Sequence, residues 1–240
     1  MNLPDTRTAR SSILRTLRGS MPTQPLPLPS LQPYLDGPYG HGCVGPRPDP
    51  ATLIGPFEAA ARSWRADVLH AGPDDWPQAV RRALDQRGCT RVALGAGGPI
   101  HAELAPALQT LTLRPFTQPL AQQWKAELFD TIDAGITSAL AGVADTGTLV
   151  LRPGPDEPRT LSLVPPVHVA VLRASTLYAG LPAAMRALSP QTDMPTNLLL
   201  ITGPSKTADI QQTLAYGAHG PKALVIVLVH DLAAEPGVQP

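Results

Sequence analysis

Cysteine is scarce in this sequence, and the charges cancel. Cys43 and Cys89 are the two cysteines among 240 residues, and Lys plus Arg and Asp plus Glu each total 19. A chain without a basic excess lacks the electrostatic character of nucleic-acid-binding proteins. Neither cysteine belongs to a CxxC motif or a Cys/His cluster, so we expect two reduced thiols, no bound metal and no iron–sulfur cluster on this chain.

Long hydrophobic runs are missing as well. The longest, at 167–172 and 223–229, are far shorter than the roughly 20 residues of a membrane-spanning helix. The N-terminal segment carries arginines without a following apolar stretch, which argues against a secretory signal and leaves an organelle transit peptide as the weaker alternative. We therefore expect a cytoplasmic protein without a membrane span, and its hydrophobic content of 43% is sufficient for a large buried core.

An amphipathic helix and a proline-rich segment are predicted before residue 51. Ile13, Leu14 and Leu17 recur at helical spacing with arginines on the opposite side. Residues 22–50 then contain nine prolines and four glycines, and each proline fixes φ and removes a hydrogen-bond donor. We expect residues 1–50 to form a helix, which packs on the body or on a second subunit, and an extended arm along the protein surface. A polyproline ligand for a partner module is the alternative.

Alternating helices and strands are predicted from residue 51 onward. The helices are predicted over 52–64, 75–88, 176–188 and 207–215, and the strands over 67–70, 91–98, 167–172, 197–202 and 223–229. Such alternation with short connections is typical of a parallel sheet built from βαβ units. We therefore expect residues 51–240 to form a single α/β domain around one Rossmann-like, mostly parallel sheet.

The middle of the chain has a different pattern. Residues 136–154 contain two β-rich runs separated by Asp145, Thr146 and Gly147, which suit a turn better than a helical crossover. We expect antiparallel strands added to, or inserted into, the parallel sheet. The prolines of VPPV at 164–167 then lead the chain into a central strand.

Three loops offer groups for a ligand, because ligands of open α/β sheets bind beyond the carboxyl ends of the strands. The first loop has glycines that leave the backbone free to approach a ligand, the second has short polar side chains around a glycine, and the third is TGPSKTAD at 202–209. The candidate ligand-binding residues of the first two loops are Gly95, Gly97, Gly98, Asp145, Thr146, Gly147 and Thr148.

The third loop resembles a phosphate-binding loop but is not one. A Walker A motif requires glycine at the positions that Leu200 and Ser205 occupy here. If a helix starts near Lys206 or Thr207, its unpaired N–H groups and its dipole favour an anion, with Lys206 as the charged contact. A surface pair between Lys206 and Asp209, with Ser205 and Thr207 as plain helix caps, explains the same residues without a ligand.

Two histidines are candidates for function. His168 lies within a predicted strand between two valines, where a satisfied core histidine is favoured over a catalytic one. His219 lies between Gly217 and Gly220 on a predicted loop, and this placement raises its functional interest.

Four motifs together resemble the LUD-domain family. They are DAGIT at 133–137, ADTGTLVL at 144–151, RTLSLVPPVHVAVL at 159–172 and ITGPSKTADIQQTLAYGAHGPKALVIVLV at 201–229, within a resemblance that covers roughly residues 90–235. It implies a Rossmann-like sheet with antiparallel additions, similar to the fold of the phosphosugar isomerases and coenzyme A transferases. The positions that match the motifs, and that we regard as a hypothetical ligand site, are Gly135, Thr137, Asp145, Thr146, Gly147, Thr148, Gly203, Pro204, Ser205, Lys206, Thr207, Asp209, His219 and Gly220.

The resemblance also implies a function. It indicates a component of a system that oxidises L-lactate to pyruvate and that includes partner proteins carrying the iron–sulfur centres. This chain is similar to the small members of the family, which consist of the LUD domain alone. The family supplies no agreed catalytic residue for this component. Besides the iron–sulfur proteins, the partners to consider are a small anionic ligand and further copies of the chain in a homo-oligomer.

Two other functions stay open from the sequence. The first is a stand-alone enzyme acting on a phosphosugar or an acyl-coenzyme A, as the fold relatives do. Coenzyme A transferases require a glutamate nucleophile, and none of the glutamates falls within the glycine-rich or ADTGT motifs, which lowers this alternative. The second is an assembly protein without a ligand of its own.

Overall fold

The computed structural model describes residues 6–20, 47–116, 122–188, 195, 197–208 and 214–232. Most of the proline-rich arm, Cys43 and Asp209 lie outside the described residues, so the expectations for them stay predictions. Within the described ranges, no helix has the length and apolar character needed to cross a membrane.

The helices and strands alternate along most of the chain. The helices are α1 (Thr6–Ser20), α2 (Pro50–Ser63), α3 (Trp76–Asp85), α4 (His101–Leu104), α5 (Gln122–Asp130), α6 (Thr160–Leu163) and α7 (Leu181–Leu188), with 3-10 turns at Ala105–Leu108 and Ala174–Thr176. The strands are β1 (Ala66–Ala71), β2 (Arg91–Gly95), β3 (Thr112–Phe116), β4 (Ala134–Ser138), β5 (Ala141–Val143), β6 (Thr148–Leu151), β7 (Val167–Arg173), β8 (Leu177–Tyr178), β9 (Leu199–Ile201), β10 (Lys206–Ala208), β11 (Leu214–Tyr216) and β12 (Ala223–Val229).

Six strands form a parallel sheet in the order β1-β12-β7-β4-β2-β3. Strands from both α/β stretches of the sequence join in it, and the strand that follows VPPV lies in its interior, as predicted. Successive side chains of β12 enter opposite apolar clusters, with Val225 and Val227 on one side and Leu224 and Ile226 on the other. Strands buried on both faces explain the continuous apolar runs in the sequence.

Both faces of this sheet are covered. One cluster packs α3 and α4 on the sheet around Trp76, Val80 and Leu104. The other packs α2 and the neighbouring small sheet on the opposite face around Phe57 and Leu149. The molecule therefore has three layers. Helices form the first, the six-stranded sheet forms the second, and α2 together with the small sheet forms the third.

The predicted antiparallel addition is a second sheet, in the order β8-β5-β6-β9. β5 and β6 form a hairpin, and β9 pairs antiparallel with β6. The strand predicted over 197–202 is present as β9, but it belongs to the second sheet. The prediction that it joins the parallel sheet was therefore wrong. The helix expected over 176–188 begins at Leu181, because residues 174–178 form a 3-10 turn and β8, which pairs with β5.

The helix predicted over 207–215 is not formed by the described residues of that segment. β10 pairs antiparallel with β11, with Lys206 opposite Tyr216, and the ring of Tyr216 lies 4.7 Å below the guanidinium of Arg65. A helix of this length is marginal without an apolar face to bury. The pairing and the cation–π contact favour the strand conformation instead.

The N-terminal helix forms where the sequence predicts it, but its apolar side is open. Ile13 and Leu17 are 60% and 55% exposed, so the expected packing on the body is not seen among the residues that the structure describes. The described end of the arm does contact the body, since Arg47 donates to the carbonyls of Ser175 and Leu177 at 2.6 and 2.8 Å. The same guanidinium lies 4.3 Å above the ring of Tyr178.

Gly147 allows the β5–β6 hairpin to touch the backbone of α2. Its φ is +64°, and a Cβ at this position would lie 2.2 Å from the amide nitrogen of Ala61. Both the left-handed conformation and the lack of space therefore require glycine. The space at Gly147 serves packing between layers, so this part of the ADTGT loop has a structural role.

We expect Gly147→Ala to lower the free energy of unfolding by at least about 2 kcal/mol, because it adds left-handed strain to overpacking against α2. Urea unfolding followed by circular dichroism measures the change. Gly154→Ala is the matched control, since nothing lies within 4 Å of its Cβ position, and its effect should stay within about 0.5 kcal/mol. Equal stability of the two variants would contradict the packing described for Gly147.

Candidate functional site

Many of the predicted ligand residues meet in a cavity at the amino ends of β7 and β12. This amino-edge pocket has a volume of about 210 Å³. It gathers the TGPS loop after β9, the HGP segment before β12 and the start of β7. Its lining residues are Ser162, Leu163, His168, Leu200, Ile201, Thr202, Gly203, Pro204, Ser205, His219, Gly220, Pro221 and Leu224.

Backbone hydrogen bonds hold the two loops of the pocket together. The amide of Ser205 donates to the carbonyl of Pro221 at 2.9 Å, and the amide of Gly217 donates to the carbonyl of Ser205 at 3.0 Å. A Cβ on Gly220 would lie 3.0 Å from the Cβ of Ser205. This close pairing explains why the TGPS and HGP motifs, separate in the sequence, form one site.

Gly203 shapes the turn that enters the pocket. Its φ is +80°, and a Cβ would lie 2.4 Å from the carbonyl oxygen of Trp64. The turn therefore packs directly on the end of α2, and a larger residue would displace the loop.

His168 is a buried wall of the pocket. The residue is 1% exposed, and its Nε2 lies 2.9 Å from Oγ1 of Thr137 on the neighbouring strand. Its Nδ1 is buried without a hydrogen-bond partner. Burial lowers the pKa of His168 from 6.5 to about 3, so the ring is neutral at physiological pH. The predicted core position is confirmed, but the hydrogen-bonding capacity of the ring is only half used.

Two further predicted residues support the pocket from behind. Gly135 lies on β4, where a Cβ would be 1.9 Å from the carbonyl oxygen of Leu161. This glycine lets α6 lie against the strand and brings Ser162 to the cavity. Thr137, two residues later, fixes the ring of His168. Both act on the pocket through another residue and do not line it.

The ADTGT loop reaches the pocket through a chain of hydroxyl groups. Oγ1 of Thr146 lies 2.8 Å from Oγ1 of Thr148, which lies 2.7 Å from Oγ1 of Thr202 in the pocket wall. Asp145 instead lies beside Gly180, with its Oδ2 3.3 Å from the Cβ position of that glycine. Residues of this loop therefore adjoin the pocket without lining it.

Lys206 and Thr207 do not line the pocket. They belong to β10, so the expectation that a helix N-terminus at Lys206 offers free N–H groups to an anion was wrong. The polar groups of the lining are instead hydroxyls and imidazoles, and no carboxylate is among its described members. Such a lining can hold a small molecule by hydrogen bonds, with apolar walls for a short carbon skeleton.

The first predicted loop lies at the opposite edge of the sheet, where β2, β4 and β7 end. A cavity of about 450 Å³ is found there, and we name it the carboxyl-edge cleft. Its lining residues are Gly97, Pro99, Ile100, Ser138, Ala139, Leu140, Arg152, Gly154, Pro155, Asp156, Glu157, Val171, Arg173 and Thr176. The first loop is therefore separated from the TGPS and HGP segments by the length of the sheet strands.

The glycines of the first loop make room for the protein segment at 156–157. A Cβ on Gly95 would lie 1.9 Å from the carbonyl oxygen of Asp156, and one on Gly97 would lie 2.6 Å from its Oδ1. A Cβ on Gly98 would lie 2.6 Å from Oε1 of Glu157. The segment at 156–157 thus occupies the space that was expected to admit a ligand.

Glu157 is the functional candidate that the sequence did not reveal. Its Oε2 accepts hydrogen bonds from the amide and the hydroxyl of Ser138 at 3.1 and 2.6 Å, while its Oε1 is buried without a partner. Burial raises the pKa of this carboxyl group, against the lowering effect of the Ser138 hydrogen bonds. A nucleophile needs an accessible oxygen, so this enclosed glutamate does not favour the acyl-transfer alternative.

The chain is similar to known proteins over most of its length. The sequence model of the LUD domain matches residues 55–229. An uncharacterized protein of Neisseria meningitidis serogroup B is 42% identical over 72% of this chain and 75% of its own length. Lactate utilization protein C of an Exiguobacterium strain is 27% identical over 95% of this chain and 99% of its own. The protein of that name from Deinococcus radiodurans is 28% identical over 95% and 98%.

A solved structure shares the architecture. The crystal structure of a DUF162 family protein from Deinococcus radiodurans matches with a TM-score of 0.60 and 27% sequence identity, over 75% of this chain and 98% of that chain. The predicted class, a mostly parallel α/β sheet with antiparallel additions, is confirmed by this match and by the strand order.

We expect His168→Gln to weaken the dependence of stability on pH. An unfolded histidine takes up a proton below its pKa of 6.5, whereas His168 in the folded chain does so only near pH 3. The folded state is therefore destabilised as the pH falls through this window, and His168 contributes about 1.4 kcal/mol per pH unit. Urea unfolding between about pH 4 and about pH 6 should show a smaller slope for the variant.

The same substitution at His219, which is exposed, controls for the loss of a histidine as such. His219→Gln should keep most of the wild-type slope. If His168→Gln and the wild type have the same slope, His168 is not the neutral buried group described here.

Proposed function

Since the chain belongs to the LUD-domain family, we propose that it takes part in lactate utilisation, as a component of a system that oxidises L-lactate to pyruvate. Two relatives named lactate utilization protein C align with 95% of this chain and nearly all of their own length. The same four motifs that carry the resemblance in the sequence build the amino-edge pocket and its support. The coincidence of family motifs with one cavity is the observation on which the proposal rests.

The amino-edge pocket holds a small organic anion in this proposal. Its volume of about 210 Å³ suits a short carbon skeleton. The hydroxyls of Thr202 and Ser205 and the imidazole of His219 can donate hydrogen bonds to a carboxylate. A lining without a carboxylate among its described residues does not repel a negative charge. Leu200 and Leu224 offer apolar contact to the methyl end of the ligand.

Several of the predicted residues have a defined part in the proposed site. Gly203, Pro204, Ser205, His219 and Gly220 form its wall. Thr137 holds His168, and Gly135 admits the helix that carries Ser162. Thr146 and Thr148 orient the hydroxyl of Thr202. Lys206 has no direct contact with the cavity, so its charge acts at most from a distance.

The proposed system includes iron–sulfur partner proteins. Oxidation of lactate to pyruvate releases two electrons and two protons, which an acceptor must take up. A cubane or two-iron cluster commonly needs four cysteine ligands, and this chain has two cysteines. The iron–sulfur centres therefore belong to the partners in this proposal. This chain provides the ligand pocket, or it is a subunit on which the partners assemble.

We expect L-lactate or pyruvate to bind at the amino-edge pocket and to raise the melting temperature of the purified protein. Ser205→Ala and His219→Ala should each weaken binding about tenfold, because each removes a hydrogen bond to the carboxylate. Isothermal titration calorimetry measures the affinities. Propanamide, which lacks the negative charge, should bind more weakly than propanoate.

The Lys206→Ala variant distinguishes binding in the amino-edge pocket from anion binding with Lys206 as the charged contact. This variant should keep nearly the wild-type affinity, since Lys206 lies on β10 outside the lining. Loss of binding in Lys206→Ala alone, with Ser205→Ala and His219→Ala unaffected, would contradict the proposed location.

Deletion of the gene should abolish growth on L-lactate as the sole carbon source, while growth on pyruvate remains. Complementation with the wild-type gene should restore growth, and a tagged chain should co-purify with an iron–sulfur protein. Normal growth of the deletion strain on lactate would exclude an essential role in lactate oxidation.

A further inference from the structure

The carboxyl-edge cleft has the size and position of a small-molecule site. Its volume of about 450 Å³ falls within the range of about 300 to 1,000 Å³ that is typical of ligand pockets. It lies at the carboxyl ends of three parallel strands, where α/β proteins most often bind ligands. The amino-edge pocket is less than half as large and lies at the other edge of the sheet.

Apolar side chains from three elements form much of the cleft wall. Ile100 precedes α4, Leu140 follows β4, and Val171 belongs to β7. Leu140 is 36% exposed, so part of its side chain is available for contact. An apolar or aromatic ligand body would gain hydrophobic contact on this wall.

Two arginines face the same cleft. Arg173 is the last residue of β7, and its guanidinium lies 3.7 Å from the carboxylate of Glu103, with the two side chains 42% and 51% exposed. A solvent-exposed pair at this distance contributes little free energy, so Arg173 can exchange this partner for a ligand. Arg152 follows β6, is exposed and also lines the cleft.

Two acidic residues also line the cleft. Glu157 is engaged by Ser138, and burial raises its pKa, which disfavours the charged form. Asp156 is exposed, with its carboxylate against the Cβ position of Gly97. The two guanidinium groups thus share the lining with two carboxylates, and one of these is already engaged by Ser138.

We propose that the carboxyl-edge cleft is a second binding site, which takes an organic anion with an apolar body. Arg173 holds its carboxylate or phosphate, and Arg152 adds positive charge. The body of the ligand lies on the wall formed by Ile100, Leu140 and Val171. This site is independent of the amino-edge pocket and of the lactate proposal, and it suits a ligand considerably larger than lactate.

Matched pairs of probes test the proposal by isothermal titration calorimetry. We expect 2-naphthoate to bind at least about tenfold more tightly than the neutral 2-naphthamide, because only the former pairs with a guanidinium. Adenosine monophosphate against adenosine makes the same comparison for a phosphate. The pair with the larger difference identifies which anionic group the cleft prefers.

Substitution of arginine locates the site. Arg173→Gln should weaken 2-naphthoate at least about tenfold, and Arg173→Lys should lie between this variant and the wild type, because lysine keeps the charge but not the bidentate geometry. Arg82→Gln removes one exposed arginine of α3 outside the cleft and should leave the affinity unchanged. Thermal unfolding shows whether each variant is folded. If Arg173→Gln does not fold, the affinity of Arg173→Lys provides the test instead.

Three results would overturn the proposal. They are equal affinity for the charged and neutral member of both pairs, full affinity in Arg173→Gln, and a loss in Arg82→Gln equal to that in Arg173→Gln. His219→Ala should leave 2-naphthoate binding intact, so failure of the lactate proposal and failure of this one give different results.

Discussion

The burial of both faces of the six-stranded sheet is the constraint on which the rest of the molecule depends. Its inner strands present apolar side chains on both sides, so each face must be covered. Two helices cover one face, while α2 and the small sheet cover the other. Once the faces are closed, the edges where strands begin and end are the places left for a ligand. The two cavities lie at these opposite edges.

The polar groups enclosed by this arrangement are few and lie near the cavities. Thr137, Thr148, Ser162 and His168 are the buried polar residues of the described chain. A buried polar atom without a partner is costly, and Nδ1 of His168 and Oε1 of Glu157 are two such atoms. Both belong to residues that line a cavity. Among the described residues, Oγ1 of Thr160 and Oδ1 of Asn197 are also buried without a partner and lie outside the two cavities, so this feature marks the cavities only in part.

The sequence predicts the parallel sheet well because its strands are continuous apolar runs between helices. It predicts the hairpin at Asp145–Gly147 because turn residues interrupt two β-rich runs. The segment at 207–215 could not be assigned in this way, since the cation–π contact between Arg65 and Tyr216 joins residues that are distant in the chain. Local pattern carries no information about such a contact.

The sequence indicates which residues could form a site better than it indicates how they are arranged in space. The TGPS and HGP motifs do meet, but the sequence does not state at which edge of the sheet they meet. The sequence did not indicate Glu157, because the residues that surround it, Gly98 and Ser138, are distant from it in the chain. Conversely, Gly95 and Gly97 suggested a ligand because glycine permits any close approach, and the approaching group is the chain itself.

Thr137 and Ser138 are neighbours on β4, yet their side chains support different cavities. Thr137 holds His168 in the amino-edge pocket, and Ser138 holds Glu157 in the carboxyl-edge cleft. A displacement of this strand along its axis would move both supports together. A single peptide unit therefore carries one support of each cavity, and a substitution that distorts β4 at this point would disturb both edges of the sheet.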